Sequence, residues 1–359
     1  MRAVVSRRGR LTVEDRPMPV PGEGEVLLKV KACGICGSDL HMLHHSEHFE
    51  DLSRRSGAPM RMDMGRGVVF GHEFSGEIVD FGPRTEATVP VGTMVAALPI
   101  GLTPTGVETI GYSDAFPGGY GEYVRALRDL VVPLPQGLSP DLGALTEPMA
   151  VGYHAVRKAG LMAADVAVVI GCGPVGLSVI LALKAGGHGP IIAADFSPVR
   201  RAMADRVGAD IVVDPAAESP YRYWSDFSVP TTASERFFAQ VAGAPSRTGV
   251  LFECVGVPGV LQSLIDGAPP DARIIVVGVC MEPDRIEPAM AITKQLDLRF
   301  VLGYTPEEFA ESLYAIADGR IDVAPVITDR VGLTGVADAF DRLSTPNEQV
   351  KILIDPSMA

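Results

Sequence analysis

Apolar residues follow two different patterns along the chain, and the change falls near residue 166. Up to about residue 147, short valine-rich runs such as 25–30 and 68–70 are separated by frequent Gly and Pro. This is typical of short strands joined by turns. From residue 166 onward, continuous apolar runs alternate with segments of helical length. The pattern therefore predicts a β-rich region followed by an α/β region.

The second region predicts individual elements in more detail. Its apolar runs are expected to be buried parallel strands, with helices between them. The predicted strands are 166–170, 191–194, 211–213, 250–252 and 273–277, and the predicted helices are 174–185 and 198–207. Further along, a helix is expected at 305–319 and a final strand at 350–354. The alternation predicts a doubly wound α/β domain.

Length and charge limit the classes of protein to consider. At 359 residues the chain is long enough for two domains, each with its own core. The formal charge of −13, from 31 basic and 44 acidic residues, argues against a nucleic-acid surface. Neither a signal peptide nor a membrane span is expected. Five cysteines do not form an even disulfide framework, so we expect a reducing cytoplasm.

Residues that suit a metal ion are concentrated in two short segments. Cys36 lies in CGICGSDLH at 33–41, and His72 and Glu73 follow in GHE at 71–73. Zinc accepts thiolate, imidazole and carboxylate ligands, and a catalytic site uses three of them with a fourth position open. We therefore predict a catalytic zinc bound by Cys36 and His72. Glu73 either binds it directly or supports the ligands from behind.

The spacing of Cys33 and Cys36 is also found in zinc ribbons and redox dithiols. A ribbon needs a second cysteine pair, which this sequence lacks. A redox dithiol is expected within a thioredoxin-like βαβ pattern, and none surrounds this motif.

A glycine-rich turn, GCGPVG at 171–176, connects the strand predicted at 166–170 to the helix predicted at 174–185. In this context the motif predicts dinucleotide binding, because its glycines allow a tight turn and close approach to a pyrophosphate. The helix N-terminus then presents free N–H groups to the phosphates. The predicted cofactor-binding residues are Gly171, Cys172, Gly173, Pro174, Val175, Gly176, Asp195, Arg200, Val277, Gly278 and Val279.

Asp195 bears on the choice between NAD and NADP. It follows the second predicted strand, where a carboxylate can accept both ribose hydroxyls and repel a 2′-phosphate. NAD(H) is therefore favoured as the cofactor. Arg200 and Arg201 are close enough in sequence to leave NADP as the alternative, but we expect them on the exposed face of a helix.

These motifs resemble those of the zinc-dependent medium-chain alcohol dehydrogenases, in the branch of polyol, threonine and glucose dehydrogenases. The matching segments are GICGSDLH at 34–41, GHE at 71–73, GGYGEY at 118–123, EPMAV at 147–151, the GxGxxG turn and VKILI at 350–354. The resemblance implies a β-rich GroES-like catalytic domain at 1–147 and a Rossmann cofactor domain at 148–302. Residues 303–359 would return to the catalytic domain. A homodimer or homotetramer is also expected.

The resemblance also implies roles for particular residues. Glu147 corresponds to the third zinc ligand of the polyol branch. Ser38 would accept the proton of the alcohol, and the relay would continue through the nicotinamide ribose to His41. Many relatives hold a second, structural zinc in a lobe that corresponds to residues 98–117, where this chain has no cysteine. One zinc per chain is therefore expected.

The resemblance also bears on Cys33 and on the interval after Cys36. The family's cysteine ligand corresponds to Cys36, so Cys33 is interpreted as a small buried apolar residue. The interval between Cys36 and His72 is longer than in most relatives and contains three neighbouring histidines. It is interpreted as an inserted loop near the substrate mouth rather than a second metal site.

The predicted function is hydride transfer between NAD(H) and a secondary alcohol or polyol, or the corresponding carbonyl. The first alternative is a zinc-free quinone or enoyl reductase of the same superfamily, but such enzymes lack the Cys, His and Glu ligands. The second alternative is a non-catalytic nucleotide-binding protein on this scaffold. A segment at 219–234 is interpreted as an insertion whose aromatic residues pack a loop or a subunit contact.

Overall fold

The computed structural model describes residues 1–57, 61–243, 247–345 and 349–358. The chain divides into two compact units. Unit 1 comprises Met1–Glu147, Phe309–Gly319 and Ile327–Ala359, and unit 2 comprises Pro148–Glu308 and Arg320–Val326. No helix in the described part of the chain is long and apolar enough to cross a membrane.

The described strands and helices follow one another along the whole chain. The strands are β1 (Arg2–Arg7), β2 (Arg10–Asp15), β3 (Glu25–Gly34), β4 (Glu73–Phe81), β5 (Met94–Ala97), β6 (Ile100–Thr103), β7 (Gly106–Thr109), β8 (Tyr123–Leu127), β9 (Val131–Pro133), β10 (Val166–Ile170), β11 (Ile191–Ala194), β12 (Ile211–Val213), β13 (Gly249–Glu253), β14 (Arg273–Val276), β15 (Asp297–Phe300), β16 (Ile327–Val331) and β17 (Lys351–Ile354). The helices are α1 (Gly37–Ser56), α2 (Pro140–Ala144), α3 (Thr146–Ala159), α4 (Pro174–Ala185), α5 (Pro198–Arg206), α6 (Ala233–Val241), α7 (Val260–Gly267), α8 (Pro288–Lys294), α9 (Pro306–Ala317) and α10 (Val336–Ser344).

Unit 1 is built on a seven-stranded sheet in the order β16-β17-β3-β4-β5-β9, with β8 also paired to β3. Strand β3 pairs antiparallel with β4, β8 and β17, so it is the central strand of this sheet. Most of its residues are buried, and they pack with apolar residues of β1, β4 and β17 into one core. The β-rich character predicted for this region is confirmed.

Unit 2 contains a six-stranded parallel sheet in the order β12-β11-β10-β13-β14-β15. The order reverses between β10 and β13, as in a doubly wound fold. The predicted strands 166–170, 191–194 and 211–213 coincide with β10, β11 and β12. The apolar side chains of β11 and most of those of β10 are buried because helices cover a parallel sheet on both faces, whereas β12, at the sheet edge, is partly buried. The predicted doubly wound α/β region is confirmed.

The interval after Cys36 is not the loop that the sequence predicted. Helix α1 runs through most of it, from Gly37 to Ser56, with a non-helical residue at His45. The helix ends where Gly57 adopts a left-handed conformation with φ 73°, which favours glycine. Met42 and Leu43 are buried in the core of unit 1, and this packing stabilises a segment that is otherwise polar. Met60, in the same interval, lies outside the described residues.

The segment 219–234 packs against the core of unit 2. Residues Pro220–Trp224 form a short 3₁₀ helix, and Trp224 is almost completely buried. Its Nε1 donates to the carbonyl of Gly267 at 3.0 Å. The expectation that the aromatic residues of this segment pack a loop is confirmed for Trp224. A buried Trp that bonds to the backbone contributes to the core rather than to a ligand site.

Candidate functional site

The strand register of unit 1 brings Cys36 close to His72 and Glu73. Strands β3 and β4 pair so that Gly34, the last residue of β3, lies opposite Glu73, the first residue of β4. Cys36 lies in the short link between Gly34 and the start of α1, and His72 directly precedes β4. The two segments with metal-binding residues therefore meet at one end of the sheet.

Glu73 forms a buried ion pair with Lys351, which lies 278 residues later in the chain. Nζ of Lys351 is 2.8 Å from Oε1 and 2.7 Å from Oε2 of Glu73, and it donates to the carbonyl of Ile35 at 3.0 Å. Both charged side chains are only 1% exposed. The pairing of β17 with β3 places Lys351 here. Gly34 is required as well, because a Cβ at this position would overlap Oε2 of Glu73.

Cys36, His72 and Glu73 form a cluster of potential metal ligands. Sγ of Cys36, a ring nitrogen of His72 and a carboxylate oxygen of Glu73 all lie within 4.8 Å of one another. Glu147, the third ligand implied by the resemblance, is not a member of this cluster. It lies at the start of α3, is 9% exposed, and acts electrostatically on Lys351. Burial would lower the pKa of Lys351, but the charges of Glu73, Cys36 and Glu147 raise it overall.

A buried carboxylate, Asp39, connects the cluster to two tyrosines. Its Oδ2 accepts hydrogen bonds from the N–H of Cys36 at 3.0 Å and from the hydroxyl of Tyr120 at 2.6 Å. Its Oδ1 accepts from the hydroxyl of Tyr112 at 2.7 Å and lies 3.5 Å from Nδ1 of His72. Burial alone would raise the pKa of Asp39, but these partners, above all His72, lower it. An ionised Asp39 can therefore orient the His72 ring, as carboxylates behind metal-binding histidines do.

The electrostatics at His72 favour a positive charge beside Cys36. Burial would lower the pKa of His72, yet Asp39 and Cys36 together raise it well above its usual value of 6.5. A metal cation satisfies the same environment as a proton, and it binds the thiolate and the neutral imidazole. The donor set and the charge of this cluster therefore fit a zinc ion.

Ser38 and His41, the two predicted relay residues, lie three positions apart in α1 and so share one face of the helix. The hydroxyl of Ser38 is 2.9 Å from the hydroxyl of Tyr112. His41 is partly buried, and its pKa is lowered by that burial and by the neighbouring His45 and His44. His41 therefore remains neutral, and able to accept a proton, at a lower pH than an ordinary histidine.

Cys33 lies behind the cluster and takes no part in it. Its side chain is fully buried, and its Sγ is 3.7 Å from the carbonyl of Gly34. Burial, followed by the charges of Asp39 and Glu73, raises its pKa well above the usual value. A buried thiol of this kind is unreactive. The interpretation of Cys33 as a small buried apolar residue is confirmed.

The lobe at residues 98–117 is held by polar side chains. Strands β6 and β7 form a hairpin, and the buried Glu108 of β7 accepts a hydrogen bond from Ser113. Oγ of Ser113 in turn accepts from the N–H groups of Ala115 and Phe116 at 3.0 and 3.2 Å. The guanidinium of Arg125 lies 4.3 Å from the Phe116 ring centroid, within range of a cation–π interaction. These contacts organise the lobe.

In unit 2, the GxGxxG turn has the geometry of a dinucleotide-binding turn. Strand β10 ends at Ile170, and helix α4 begins at Pro174 with Gly173 as its N-cap. A Cβ at Gly176 would overlap the carbonyl oxygen of Gly171, so only glycine allows the helix to pack this closely. A Cβ at Gly173 would have only the Arg200 guanidinium nearby, at 3.9 Å. This side of the turn therefore has space for a pyrophosphate at the helix N-terminus.

Asp195 follows β11 and is fixed by two backbone donors. Its Oδ2 accepts from the N–H of Cys172 at 2.8 Å, and its Oδ1 accepts from the N–H of Ser197 at 2.7 Å. A carboxylate has about four acceptor sites, so it can accept two further hydroxyl donors. The side chain is oriented next to the turn as a ribose-binding carboxylate requires.

The two arginines of α5 differ from the expectation that they lie on the exposed face of the helix. Nη1 of Arg200 lies 4.0 Å from Oδ2 of Asp195, and Nη1 of Arg201 donates to the carbonyls of Asp195 and Phe196. Arg201 also pairs with Asp214 at 2.9 Å. Both are partly buried because the charge of Asp195 and the free carbonyls after β11 attract them towards the sheet.

The loop after β14 contains the other predicted cofactor residues. The N–H groups of Val277 and Gly278 both donate to the carbonyl of Glu253 at 2.9 Å. The carboxylate of Glu253 accepts from the N–H groups of Val255 and Gly256, each at 2.8 Å. Val279, by contrast, is 45% exposed. Backbone contacts therefore fix this loop while leaving Val279 accessible.

Sequence reasoning missed four side chains that contact Cys36, His72 or Glu73 or that connect to them through Asp39. Asp39, Tyr112, Tyr120 and Lys351 received no role, although Asp39 and Tyr120 lie within the motifs and Lys351 lies within the C-terminal segment. A signal existed for Asp39, because a carboxylate three residues into a helix often bonds to the N-cap backbone. Local patterns carry no information about the other three, because their partners are distant in sequence.

Comparisons with known proteins agree with this architecture. A family model described as an alcohol dehydrogenase GroES-like domain matches residues 22–136, and one described as a zinc-binding dehydrogenase matches residues 174–318. The chain is 33% identical to (R,R)-butanediol dehydrogenase of Bacillus subtilis, with 97% of each protein covered. It is 30% identical to sorbitol dehydrogenase of Bos taurus, over 94% of this chain and 91% of that protein.

The crystal structure of 2R,3R-butanediol dehydrogenase from Bacillus subtilis superimposes with a TM-score of 0.79. The two chains are 31% identical, and 99% of each is covered. These matches confirm the predicted fold class, a β-rich GroES-like domain with a doubly wound Rossmann domain.

Proposed function

Since the chain belongs to the zinc-dependent medium-chain alcohol and polyol dehydrogenase family, we propose that it oxidises a vicinal diol with NAD and one zinc ion per chain. Its reaction class is the oxidoreduction of a secondary alcohol or polyol, and its substrate is a small molecule. The observation that carries the proposal is that a thiolate and an imidazole, those of Cys36 and His72, lie together at one end of the sheet with the Glu73 carboxylate beside them. A zinc-free reductase of this superfamily would not need this thiolate and imidazole together.

Cys36 and His72 would hold the zinc, with Glu147 as the third ligand. Both oxygens of Glu73 already contact Lys351, so its charge is balanced without a metal. Glu147 lies near enough to the same lysine to raise its pKa. When bound, zinc supplies a Lewis acid that makes the alcohol proton easier to remove. The Glu73–Lys351 pair would then support the ligands from behind, and Asp39 would fix the His72 ring.

Two matched variants test the assignment of the ligands. Glu147→Gln and Glu73→Gln each replace a carboxylate by an amide of nearly equal size. Glu147→Gln should lose zinc on dialysis, whereas Glu73→Gln should retain it with roughly 10- to 100-fold lower affinity, the usual effect of a group behind the ligands. Zinc content per chain is measured by elemental analysis. Retention by Glu147→Gln together with loss by Glu73→Gln would identify Glu73 as the ligand, and two tightly held zincs per chain would contradict a single site.

Ser38 and His41 would conduct the proton released by the alcohol. Ser38, two residues after Cys36, would be the first acceptor, and His41 on the same face of α1 would release the proton to solvent; a bound cofactor would supply the ribose hydroxyls that link them. The lowered pKa of His41 supports this role, because a neutral imidazole is needed to accept a proton.

We favour NAD over NADP because Asp195 is oriented by two backbone N–H groups and keeps acceptor sites for ribose hydroxyls. Its negative charge would repel a 2′-phosphate. Arg200, at 4.0 Å from that carboxylate, is the residue that would support NADP if Asp195 were neutralised. Residues 171–176 and 277–279 would contact the remainder of the dinucleotide.

We also propose a cytoplasmic homodimer or homotetramer. Strand β15 is an edge of the unit 2 sheet, and three large apolar side chains on or near it are highly exposed: Ile292, Phe300 and Leu302. An unprotected edge with exposed apolar residues favours association with another chain. Light scattering on the purified protein measures the assembly, and a monomer at all concentrations would contradict it.

A substrate screen tests the function as a whole. We expect NADH formation from (R,R)-2,3-butanediol or sorbitol, which contain vicinal hydroxyls, with a higher kcat/KM for NAD than for NADP. Oxidation of L-threonine but of neither diol would contradict the vicinal-diol substrate. Reduction of quinones or enones without any alcohol oxidation would favour the zinc-free reductase. NADH binding by fluorescence without turnover of any compound would favour a non-catalytic protein.

A further inference from the structure

Tyr112 contacts the cluster from the lobe at residues 98–117, and the family resemblance assigns no role to this tyrosine. Its hydroxyl lies 2.9 Å from Oγ of Ser38 and 2.7 Å from Oδ1 of Asp39. Its ring lies 5.0 Å from the His72 ring and 5.8 Å from the Phe70 ring, measured between centroids. The residue is only 6% exposed. Tyr112 therefore contacts Ser38 and Asp39 of α1 and the ring of His72, a predicted metal ligand.

The hydrogens in this group can be assigned by counting donors. A tyrosine hydroxyl has one hydrogen, and the ionised Asp39, at the shorter distance, is its stronger acceptor. The Ser38 hydroxyl can then donate to the oxygen of Tyr112. When Ser38 turns its hydrogen elsewhere, the Tyr112 hydroxyl can rotate and donate to Oγ of Ser38. Asp39 still accepts from Cys36 and Tyr120. The contact between Ser38 and Tyr112 is therefore retained for both orientations of the Ser38 hydroxyl.

We propose that Tyr112 is a positioning residue that fixes Oγ of Ser38 where it receives the alcohol proton. Ser38 lies half-buried in the first turn of α1, and a serine side chain has three staggered rotamers. A rigid, buried phenol anchored to Asp39 selects one of them. The inference rests on the proposed role of Ser38 as proton acceptor. It adds that this role depends on Tyr112, which connects the Ser38 side chain to Asp39.

The chain contains a matched control for this inference. Tyr120 is also a buried tyrosine, and its hydroxyl donates to the other oxygen of Asp39 at 2.6 Å. Its described hydrogen bond goes to Asp39 and not to Ser38. Tyr112→Phe and Tyr120→Phe therefore each remove one hydroxyl from Asp39, but only Tyr112→Phe removes a partner of Ser38.

A double-mutant cycle separates positioning from general support of the cluster. Turnover of (R,R)-2,3-butanediol with NAD is measured for Tyr112→Phe, Tyr120→Phe, Ser38→Ala and the two double variants, with zinc content and melting temperature of each. We expect Tyr112→Phe to lower kcat by ~10- to 10²-fold, the order that small misplacements of reacting groups cost, with little change in KM. In the Ser38→Ala background it should cost nothing further. Tyr120→Phe should lower kcat by the same factor in the wild-type protein and in Ser38→Ala.

Crystal structures of the wild-type protein and Tyr112→Phe provide a readout that needs no activity. We expect Ser38 in one rotamer in the wild type and in a different or divided set of rotamers in Tyr112→Phe. An unchanged Ser38 rotamer, or an equal loss of kcat from Tyr112→Phe in both backgrounds, would overturn the positioning role alone. Normal turnover by Ser38→Ala would overturn the relay and the positioning role together. If the wild type oxidises no alcohol, the proposed function fails, and the rotamer comparison still decides whether Tyr112 fixes Ser38.

Discussion

The metal cluster of unit 1 and the dinucleotide turn of unit 2 are built from different kinds of contact. The turn depends on backbone groups and short separations: Asp195 bonds to residues 2 and 23 positions away, and Glu253 bonds to N–H groups 2 and 3 positions away. The cluster depends on side chains that are far apart in sequence. Asp39 bonds to tyrosines 73 and 81 positions away, and Glu73 bonds to a lysine 278 positions away.

The two sites should therefore differ in their tolerance of side-chain substitutions. A turn made of backbone donors tolerates side-chain changes as long as its glycines remain. A buried network of charged and hydroxyl groups does not, because each removed partner leaves another group unsatisfied in a medium of low dielectric. We therefore expect substitutions in the cluster to have larger effects than substitutions at the turn.

The largest expected effect is that of Cys36→Ser. Replacing the thiolate by a hydroxyl removes a ligand that zinc binds strongly, so the variant should lose its metal and all measurable alcohol oxidation. The dinucleotide turn lies in the other unit, so NADH binding should be retained. Elemental analysis and NADH fluorescence check the two parts separately. Loss of NADH binding together with zinc would show that the two sites are not independent.

The next effect concerns the stability of unit 1. Lys351→Met leaves the Glu73 carboxylate buried without a partner, which should cost about 3–5 kcal/mol. Hydrogen exchange in β4 and β17, which contain Glu73 and Lys351, measures this loss. The double variant Glu73→Gln with Lys351→Met removes both charges and should recover most of it. If the double variant is no more stable than Lys351→Met alone, the unpaired charge is not the cause.

Asp195→Ser tests the turn and should have a smaller effect. A hydrogen bond to a charged group contributes about 1.5–3 kcal/mol, so the ratio of kcat/KM values for NAD and NADP should fall by roughly 10- to 150-fold. Adding Arg200→Ala to Asp195→Ser should reverse part of the increase in kcat/KM for NADP. A wild-type enzyme that already prefers NADP would show that Asp195 does not select the cofactor.

The smallest effect is a change in pH dependence from His45→Gln. His45 is the first of two histidines whose charge lowers the pKa of His41, after burial. In the wild type, alcohol oxidation should decline on the acid side only below the ordinary histidine value of 6.5, because His41 must be neutral to accept a proton. Removing His45 should raise the pKa of His41 and move that decline to higher pH by less than about one unit. A profile that does not move would show that His41 is not the terminal acceptor.

Sequence reasoning succeeded where local patterns determine structure. Strands β10, β11 and β12 were predicted at their observed bounds, because a strand buried on both faces is a continuous apolar run between turns. Helix α4 was predicted at its bounds as well, since the GxGxxG turn indicates where such a helix begins. The segments containing Cys36 and His72 also stood out, because their residue types suit zinc.

Sequence reasoning failed where contacts between residues far apart in sequence determine the structure. Helix α1 was interpreted as part of an inserted loop because the interval after Cys36 is longer than in most relatives. The burial of Met42 and Leu43 that stabilises this helix depends on the rest of unit 1. The partly buried positions of Arg200 and Arg201 follow from contacts with the end of β11, which a helical pattern does not reveal. The partners of Asp39 and Glu73 were not predicted either, because they lie 73, 81 and 278 residues away in sequence.

The most direct test of zinc-dependent alcohol oxidation is removal and restoration of the metal. The protein is dialysed against a chelator, and NADH formation from (R,R)-2,3-butanediol is followed as zinc is added back. We predict that metal-free protein still binds NADH but does not oxidise the diol, and that activity returns in proportion to zinc until one ion per chain is bound. Full turnover by the metal-free protein would contradict the role assigned to Cys36, His72 and Glu147.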